Sequence, residues 1–341
     1  MDLLNALVLL VNSILIPALT YGSTLALGAL GVTLVFSILR FANFAHGDLM
    51  ALGTVIALML VNALRGLGVN LSPLPLGLVV LPLSVVATAL IAVAFDRSVF
   101  AYYRSIKARP IIMVMASIGV MFLLNGLVRL LYGAGDRSFF APADGDPKIQ
   151  LIRPREFKAW TGLEEGIALS LPQVLATLLA VVLMLSLFIF LQRTRLGKAM
   201  RAFADNEDLA RLSGINPERV VVVTWVIAGG LAAVAGVLFG MDKVYKPFTY
   251  FQMLLPIFAA TIVGGIGDPR GAVLGGYLVA LSEISLTYVY RKVLTYLTPE
   301  SWDFGLAQLL GTEYKFAISF LVLVVVLLVR PTGIFRGKVL S

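Results

Sequence analysis

Residues 171–191 read LPQVLATLLAVVLMLSLFIFL, an apolar run without a charged side chain. An α-helix rises 1.5 Å per residue, so a run of roughly twenty residues is long enough to cross the ~30 Å hydrocarbon core of a bilayer. Apolar runs also occur in the cores of soluble proteins, but those runs are shorter. The stretch therefore predicts a membrane-spanning helix.

Comparable runs recur along the whole chain. Of its 341 residues, 59% are hydrophobic and 13% are charged, a balance outside the range of soluble domains. We predict an all-α polytopic membrane protein with about 8–10 transmembrane or partial helices. The apolar segments cover residues 3–19, 21–39, 49–64, 74–95, 110–132, 171–191, 219–240, 253–266, 271–290 and 313–330.

Some of these segments are short or interrupted. Only Leu19-Thr20-Tyr21-Gly22 separates the first two, and segment 253–266 runs into a glycine-rich stretch. Broken helices at membrane depth are tolerated only where protein or a water-filled cavity surrounds them. We therefore expect these breaks in the protein interior.

Basic residues in the loops predict the orientation. Residues 96–109 hold four basic side chains against one acid, and residues 192–219 hold six basic side chains. Lys and Arg collect in cytoplasmic loops, so both stretches are predicted to be cytoplasmic. The loop 133–170 carries mixed charges and is predicted to be external.

The basic tail at 330–338 is also predicted to be cytoplasmic. Counting crossings backward places both termini in the cytoplasm if segments 253–266 and 271–290 form an up-and-back pair, and a re-entrant segment would change the count by one. The N-terminus lacks the basic region of a signal peptide, so the first span is expected to stay in the mature protein. No interspan stretch is longer than about forty residues, which predicts a single transmembrane domain over residues 1–341.

The polar stretch 195–219 has the signature of a short capped helix. Asp205 or Asn206 suits its N-cap, and the acidic Glu207 and Asp208 suit its positive end. Gly214 can adopt the left-handed conformation that ends a helix. Too short and too charged to span a bilayer, this helix is expected to lie at the membrane surface and to offer its exposed side to another molecule.

A second polar stretch, residues 40–53, places Asn43, His46 and Asp48 between two apolar segments. Polar groups at membrane depth are costly and usually have a function. One interpretation is a structured break around a translocation path, in which these side chains satisfy freed backbone groups or face a substrate. The other is a cytoplasmic turn whose polar residues touch water.

The glycine-rich stretch at 264–271 contains Gly264, Gly265 and Gly267, which allow a sharp reversal and close helix contact. It has no Gly-Lys-Ser or Gly-Lys-Thr, so a phosphate-binding loop is not expected. Stretches 40–53 and 264–276 are candidates for corresponding positions of an internal repeat, which in transporters often marks the substrate path. Glu283, farther along, faces either a cavity or the external surface.

The residue inventory excludes several classes of function. The chain has no cysteine and one histidine, and it contains no nucleophile elbow or zinc-protease motif, so catalytic and metal sites are not expected. Its net charge of +8 is explained by the cytoplasmic loops and requires no nucleic acid. Intramembrane charges are scarce outside Asp48, Arg129 and Glu283, which disfavours a proton-driven carrier. A self-sufficient channel or secondary carrier stays as the alternative to a subunit of a larger machine.

Four stretches together resemble a known family. They are residues 43–53, 194–216, 264–276 and 330–335. In this order they resemble the permease subunits of branched-chain amino-acid ABC importers. The resemblance implies a permease of the vitamin-B12-importer architectural class in the bacterial cytoplasmic (inner) membrane.

The resemblance also implies partners. These are cytoplasmic ABC ATPase subunits, a second and different permease subunit, an external solute-binding protein and the membrane lipid. No cofactor is expected in this chain, because ATP is used by the partner subunits. Branched-chain amino acids are the implied substrates, while similar permeases for urea, short amides or other amino acids stay open.

Within the polar stretch 195–219, the resemblance assigns the segment that couples a permease to its ATPase. Asp208 and Leu209 stand where two alanines are common in the family. The implied coupling residues are Asn206, Glu207, Asp208, Leu209, Ala210, Arg211, Leu212 and Gly214. The residues expected along the translocation path are Asn43, His46, Asp48, Gly264, Gly265 and Gly267.

Overall fold

The computed structural model describes residues 2–69, 74–133, 135–140, 149–297 and 307–335. Seven of the helices in these ranges are long and apolar enough to cross a membrane, which confirms the predicted all-α polytopic fold. In chain order the helices are α1 (Asp2–Leu39), α2 (His46–Gly66), α3 (Leu76–Val79), α4 (Leu81–Ser105), α5 (Pro110–Tyr132), α6 (Pro154–Thr161), α7 (Leu171–Arg193), α8 (Arg195–Asp205), α9 (Glu207–Leu212), α10 (Pro217–Asp242), α11 (Pro247–Gly264), α12 (Pro269–Thr287), α13 (Arg291–Leu297) and α14 (Lys315–Val329). Two short strands, β1 (Gln150–Ile152) and β2 (Leu169–Ser170), pair antiparallel within the loop predicted to be external.

The prediction of two separate spans at 3–19 and 21–39 is wrong, because α1 is one continuous helix. A π-helical turn at Val11–Leu15 separates the first part of α1 from an α-helical segment that begins at Ile16. Pro17 lies in the first turn of that segment, where the N–H that proline lacks is not needed for the α-helical hydrogen bonds. Gly22 serves close packing: a Cβ there would lie 2.6 Å from Cδ1 of Tyr277. Thr20 hydrogen bonds to the Ile16 carbonyl one turn earlier and so stays within the helix.

The two ends of α1 lie at opposite ends of the bundle. The Asn5 and Asn12 side chains accept hydrogen bonds from the backbone N–H groups of Glu164 (3.1 Å) and Ala168 (2.8 Å), in the loop predicted to be external. The residue after α1, Arg40, reaches Ala204 in the segment predicted to be cytoplasmic. The expectation of a cytoplasmic N-terminus is therefore wrong. Residues 3–39 were counted as two crossings, but α1 makes one crossing, so the N-terminus lies at the opposite end of the bundle from Arg40.

The end of the described chain lies at the end of the bundle that is predicted to be cytoplasmic. The backbone N–H groups of Ile334 and Phe335 donate to the carbonyls of Val263 (2.9 Å) and Gly264 (3.0 Å). This position agrees with the predicted cytoplasmic tail up to residue 335. Residues 336–338 of that tail lie outside the described residues.

Small residues let the central helices approach closely. A Cβ at Gly276 in α12 would lie 2.7 Å from the Cα of Ala26 in α1, and a Cβ at Gly236 in α10 would lie 2.3 Å from the Met50 carbonyl in α2. Helix packing in membranes depends on such contacts, since lipid removes the hydrophobic driving force between helices. Helices α1, α2, α10, α11 and α12 thus form a tight centre. Helices α5 and α7 lie outside it and expose long apolar faces.

Helices α11 and α12 form an up-and-back pair, the first of the two arrangements that the sequence left open. A Cβ at Gly264 would lie 2.0 Å from the Gly271 carbonyl oxygen, and one at Gly275 would lie 2.0 Å from the Ala260 carbonyl oxygen. Gly265 and Gly267, in the turn between the helices, have φ angles of 111° and 88°. Such positive φ angles favour glycine, which explains the glycine-rich sequence of this turn.

Candidate functional site

The polar stretch after α7 folds into two short helices. Helix α9 is the capped helix that the sequence predicts: the Asn206 Oδ1 accepts a hydrogen bond from the Leu209 N–H (3.0 Å), and Gly214 has a φ of 81°. Asn206 is therefore the N-cap, and Asp205 is the last residue of α8. Helix α8 was not predicted.

Helix α8 is fastened to the bundle. Its N-cap, Thr194, accepts a hydrogen bond from the Gly197 N–H (2.9 Å). Gly197 lies directly against the end of α7, where a Cβ would come within 2.2 Å of the Phe190 carbonyl oxygen. The side chains of Met200 and Phe203 are buried on the inner face of α8.

Helix α9, in contrast, presents apolar side chains outward. Leu209 and Leu212 are 61% and 85% exposed, while Ala210 is buried against the protein. Glu207 and Arg211 form an exposed ion pair one turn apart, which stabilises the short helix. Of the eight residues predicted for coupling, only Ala210 faces inward.

The predicted coupling segment, α8 and α9, is joined to the end of α1. The Arg40 guanidinium donates a hydrogen bond to the Ala204 carbonyl near the end of α8. Arg40 itself has a φ of 59°, a left-handed conformation that ends α1. A cavity of about 530 Å³ opens beside this contact, between α8 and the turn at Gly267.

Residues 40–45 form a structured and buried break. Asn43 is 1% exposed, and its Oδ1 accepts a hydrogen bond from the Ala45 N–H (3.1 Å). Phe41 packs against Phe100 with ring centroids 5.3 Å apart, and Phe100 stacks on Trp225 at 5.2 Å. A water-exposed cytoplasmic turn, the alternative reading of this stretch, is wrong.

His46 begins α2 in the interior of the protein. Its ring lies beside the Gly28 carbonyl and fills the space left by Gly31, where a Cβ would lie 2.5 Å from the His46 Cε1. Two residues later, Asp48 is also buried, and its Oδ1 accepts a hydrogen bond from the Asn125 Nδ2 (2.9 Å). Whether these side chains contact a substrate stays a prediction.

The predicted path residues fall into two groups. Asn43, His46 and Asp48 lie at and just beyond the buried break, whereas Gly264, Gly265 and Gly267 lie at the turn between α11 and α12. Gly265 is packed against backbone, since a Cβ at Gly333 would lie 2.7 Å from its Cα. Gly267 lines the cavity beside Arg40.

Sequence reasoning missed the partners of Asp48. Asn125 and Arg129 lie one turn apart on α5, and that spacing of polar residues in an apolar helix was a usable signal. Tyr245 is fully buried and lies close enough to Asp48 and Arg129 to interact with both charges. It follows α10, and its sequence carries no comparable signal.

Glu283 faces neither the external surface nor open space. It is fully buried on α12, where it accepts a hydrogen bond from the Ser319 hydroxyl and lies 3.7 Å from the Lys315 Nζ. Lys315 also lies over the Tyr21 ring, 3.8 Å from its centroid. These contacts join α12, α14 and α1.

Comparison with known proteins identifies the family. Residues 14–327 match the family model described as "Branched-chain amino acid transport system / permease component". The high-affinity branched-chain amino acid permease LivH of Salmonella typhimurium is 33% identical over 319 residues, which are 92% of each chain. BraD of Pseudomonas aeruginosa is 32% identical over 321 residues, 94% of each chain.

A more distant relative and one solved structure extend the comparison. A probable branched-chain amino acid permease of Methanocaldococcus jannaschii is 29% identical over 325 residues, 94% of this chain and 91% of its own. The structure of PsaBC from Streptococcus pneumoniae in complex with Fab covers 98% of this chain and 94% of its own, with a TM-score of 0.44 and 12% identity.

The buried break at residues 40–45 and the capped helix α9 both lie within the residues that match the family model. The chain is a multi-pass membrane protein, and it belongs to the family of permease components of branched-chain amino acid transport systems.

Proposed function

We propose that this chain is the permease subunit of an ATP-driven importer of branched-chain amino acids in the cytoplasmic membrane. The observation that carries the proposal is the coupling segment, α8 and α9, within a chain of this family. Helix α8 is held by buried Met200 and Phe203, while α9 offers exposed Leu209 and Leu212 at the cytoplasmic end. Exposed apolar side chains on a firmly held helix suit docking into a groove of another protein.

ATP hydrolysis belongs to separate partner subunits. Backbone atoms of the protein itself pack against the glycine-rich turn at 264–267. Gly264 packs against the backbone of Gly271, and Gly265 packs against Gly333, so closely that a Cβ would clash at Gly264 or at Gly333. A phosphate-binding loop instead needs free backbone N–H groups around an open space, and a lysine after its glycines. The packing of this turn supports a role in helix contact and not in nucleotide binding.

The route from the ATPase to the membrane interior begins at α9. A movement of the docked ATPase would displace α8 and α9 together, because α9 follows α8 directly at Asn206. Arg40 holds the Ala204 carbonyl and so transmits this displacement to the break at 40–45. The break leads into His46 and α2, so a shift there changes the protein interior without any contact between ATPase and membrane.

The remaining partners follow from the same assignment. A second permease subunit would cover part of the exposed helix faces, and an external solute-binding protein would deliver substrate at the end where α1 begins. That end carries the loop with β1 and β2. The solute-binding protein would impose much of the selectivity.

Uptake of radiolabelled leucine tests the proposal. Vesicles are prepared with this chain, its ATPase subunits, the second permease and the binding protein, with ATP or a non-hydrolysable analogue inside. We expect accumulation that requires ATP hydrolysis and disappears when this chain is omitted. Equal flux with both nucleotides, or flux through this chain alone, would instead indicate a channel or a secondary carrier.

A further inference from the structure

One carboxylate oxygen of Asp48 lacks a partner in the protein interior. Asp48 is 1% exposed, and its Oδ1 accepts a hydrogen bond from Asn125, but its Oδ2 has no hydrogen-bond donor among the described residues. A buried charged oxygen without a partner is costly, so such groups usually bind something.

A positive charge lies near this carboxylate. Arg129 follows Asn125 by one helical turn and is close enough to Asp48 for their charges to attract, yet it forms no ion pair with another described residue. The Arg129 side chain is exposed on α5, although it belongs to a membrane-spanning helix. Arg129 lies three residues before the end of α5, where a long cationic side chain can extend to polar surroundings and is available to a solute.

A third group completes the cluster. The Tyr245 hydroxyl is buried, has no hydrogen-bond partner among the described residues, and lies within electrostatic range of both charges. The cluster lies toward the end of α5 that leads into the loop predicted to be external: Asn125 precedes Tyr132, the last residue of α5, by seven residues, which is about 10 Å along the helix. A substrate arriving from outside would meet it early.

We propose that Asp48, Arg129 and Tyr245 bind the head group of a zwitterionic α-amino acid. Asp48 Oδ2 accepts hydrogen bonds from the ammonium group, Arg129 donates to the carboxylate, and the Tyr245 hydroxyl bridges between them. The inference rests on the proposed function and deepens it, because it names the side chains that touch the substrate.

The pair of opposite charges selects the class of ligand. A cationic solute would meet repulsion from Arg129, and an anionic solute would meet repulsion from Asp48. A neutral solute such as urea would displace water from the Asp48 carboxylate and the Arg129 guanidinium without supplying an opposite charge to either group. Only a solute that carries both charges on adjacent groups satisfies the two side chains together.

Two variants remove one charge each. Asp48→Asn keeps an oxygen for the Asn125 amide, and Arg129→Gln keeps a polar side chain of similar reach. The matched control is Asp136→Asn at the same end of the molecule, where Asp136 forms an exposed ion pair with Lys246 (2.8 Å). Recovery of the assembled importer after purification reports folding of every variant.

We expect ATP-dependent leucine uptake to fall at least about tenfold in Asp48→Asn and in Arg129→Gln, the two path variants. Hydrogen bonds to charged groups are stronger than hydrogen bonds between neutral groups, so losing one weakens binding of the substrate. The control should stay within about twofold of the wild type, because exposed ion pairs contribute little. If the wild type takes up no leucine, both the proposed function and this inference fail. Wild-type uptake together with full uptake by both path variants rejects the head-group site alone.

A labelling experiment tests the site without depending on transport. The chain has no cysteine, and Gly126, next to Asn125, has no atom within 4 Å of an added Cβ, so Gly126→Cys provides one tolerated thiol. In an importer with cysteine-free partners, a negatively charged methanethiosulfonate should label it, and saturating leucine should slow labelling several-fold. Leu178→Cys, 61% exposed on α7 and also seven residues from an outer helix end, should resist labelling. Failure to label Gly126→Cys, or labelling that leucine does not slow, would overturn the proposal.

Discussion

The guanidinium of Arg40 donates a hydrogen bond to the backbone carbonyl of Ala204, so the end of α1 is tied to the end of α8 at the end of the bundle predicted to be cytoplasmic. This contact joins two polar stretches that are far apart in the sequence. One begins the buried break at 40–45, and the other carries the exposed helix α9. A displacement of α8 therefore acts directly on the residues that precede His46.

Removing the Arg40 guanidinium should uncouple ATP hydrolysis from transport. Arg40→Asn suits the test because asparagine tolerates the left-handed φ of 59° better than most residues. We expect ATPase activity to persist while the number of leucine molecules imported per ATP falls severalfold. The measurement is uptake and phosphate release in the same vesicles.

Arg201→Asn serves as the control for Arg40→Asn, because Arg201 lines the same cavity and is exposed. It should leave the ratio of transport to hydrolysis close to that of the wild type. An unchanged ratio in Arg40→Asn would remove this contact from the coupling route.

Charge on the outer face of α9 should prevent docking of the ATPase. Leu209→Asp and Leu212→Asp place a carboxylate where an apolar side chain would be buried in the complex, which costs several kcal/mol in a groove without a partner cation. We expect the ATPase to be lost from the purified complex, with the permease still in the membrane. Co-purification of the subunits measures this.

The control for docking is Leu151→Asp in β1, a half-exposed leucine at the opposite end of the molecule. It should purify with the usual amount of ATPase. If Leu209→Asp and Leu212→Asp do so as well, α9 is not the docking helix.

Gly31 should be needed for the position of His46. A methyl group at residue 31 would lie 2.5 Å from the His46 Cε1, too close for unchanged packing. We expect Gly31→Ala to lower the free energy of unfolding by about 1–3 kcal/mol, despite the helix preference of alanine. Thermal unfolding of the purified chain in detergent measures the change.

A double substitution separates the contact from other effects. With His46→Ala present, Gly31→Ala should cost much less, because the ring that it strikes is gone. Gly119→Ala on α5 is the open-space control, since nothing lies within 4 Å of an added Cβ. Equal costs of Gly31→Ala with and without His46 would show that the ring is not the cause.

The contacts of Glu165 with α13 should make the stability of the protein sensitive to acid. Burial tends to raise the pKa of Glu165, but hydrogen bonds from Lys292 and Tyr296 outweigh it and hold this pKa below 4.5. Lys292 Nζ lies 2.6 Å from the Glu165 Oε1, and the Tyr296 hydroxyl lies 2.8 Å from it. Because the pKa is lower in the folded protein, this stabilisation is complete above about pH 4.5 and is lost as pH falls through the folded value.

The measurement is the unfolding temperature between pH 3 and pH 7, and Glu165→Gln is the test variant. We expect the variant to be less stable than the wild type at pH 7, with the difference shrinking below about pH 4.5. Glu156→Gln, which removes an exposed ion pair with Arg153, should follow the wild-type curve. A constant difference across the pH range would mean that Glu165 does not act through its charge.

Apolar run length predicted most of the spans correctly but failed at the start of the chain. The polar letters Thr20-Tyr21-Gly22 suggested a loop, whereas in the structure Gly22 lies against Tyr277 and Thr20 bonds within the helix. A glycine that ends a helix and a glycine that admits a neighbour have the same sequence signal. The error moved the N-terminus to the wrong side of the membrane.

The N-cap at Asn206 and the stop at Gly214 were predictable because both depend on neighbours within a few residues. Glu283 shows the opposite case. Its partners Lys315 and Ser319 belong to another helix, so the sequence around Glu283 could not predict which groups surround its carboxylate.

The sequence by itself determined that the chain is an all-helical membrane protein of the branched-chain amino acid permease family, with a capped surface helix at 207–212. Hydropathy, caps and family motifs are local, and each can be read from adjacent residues. Only the tertiary structure decided that Arg40 holds Ala204, that Gly31 admits His46, and that Asn125 donates a hydrogen bond to Asp48 in the protein interior. Those contacts depend on how helices cross, and crossing is set by close packing among residues distant in sequence.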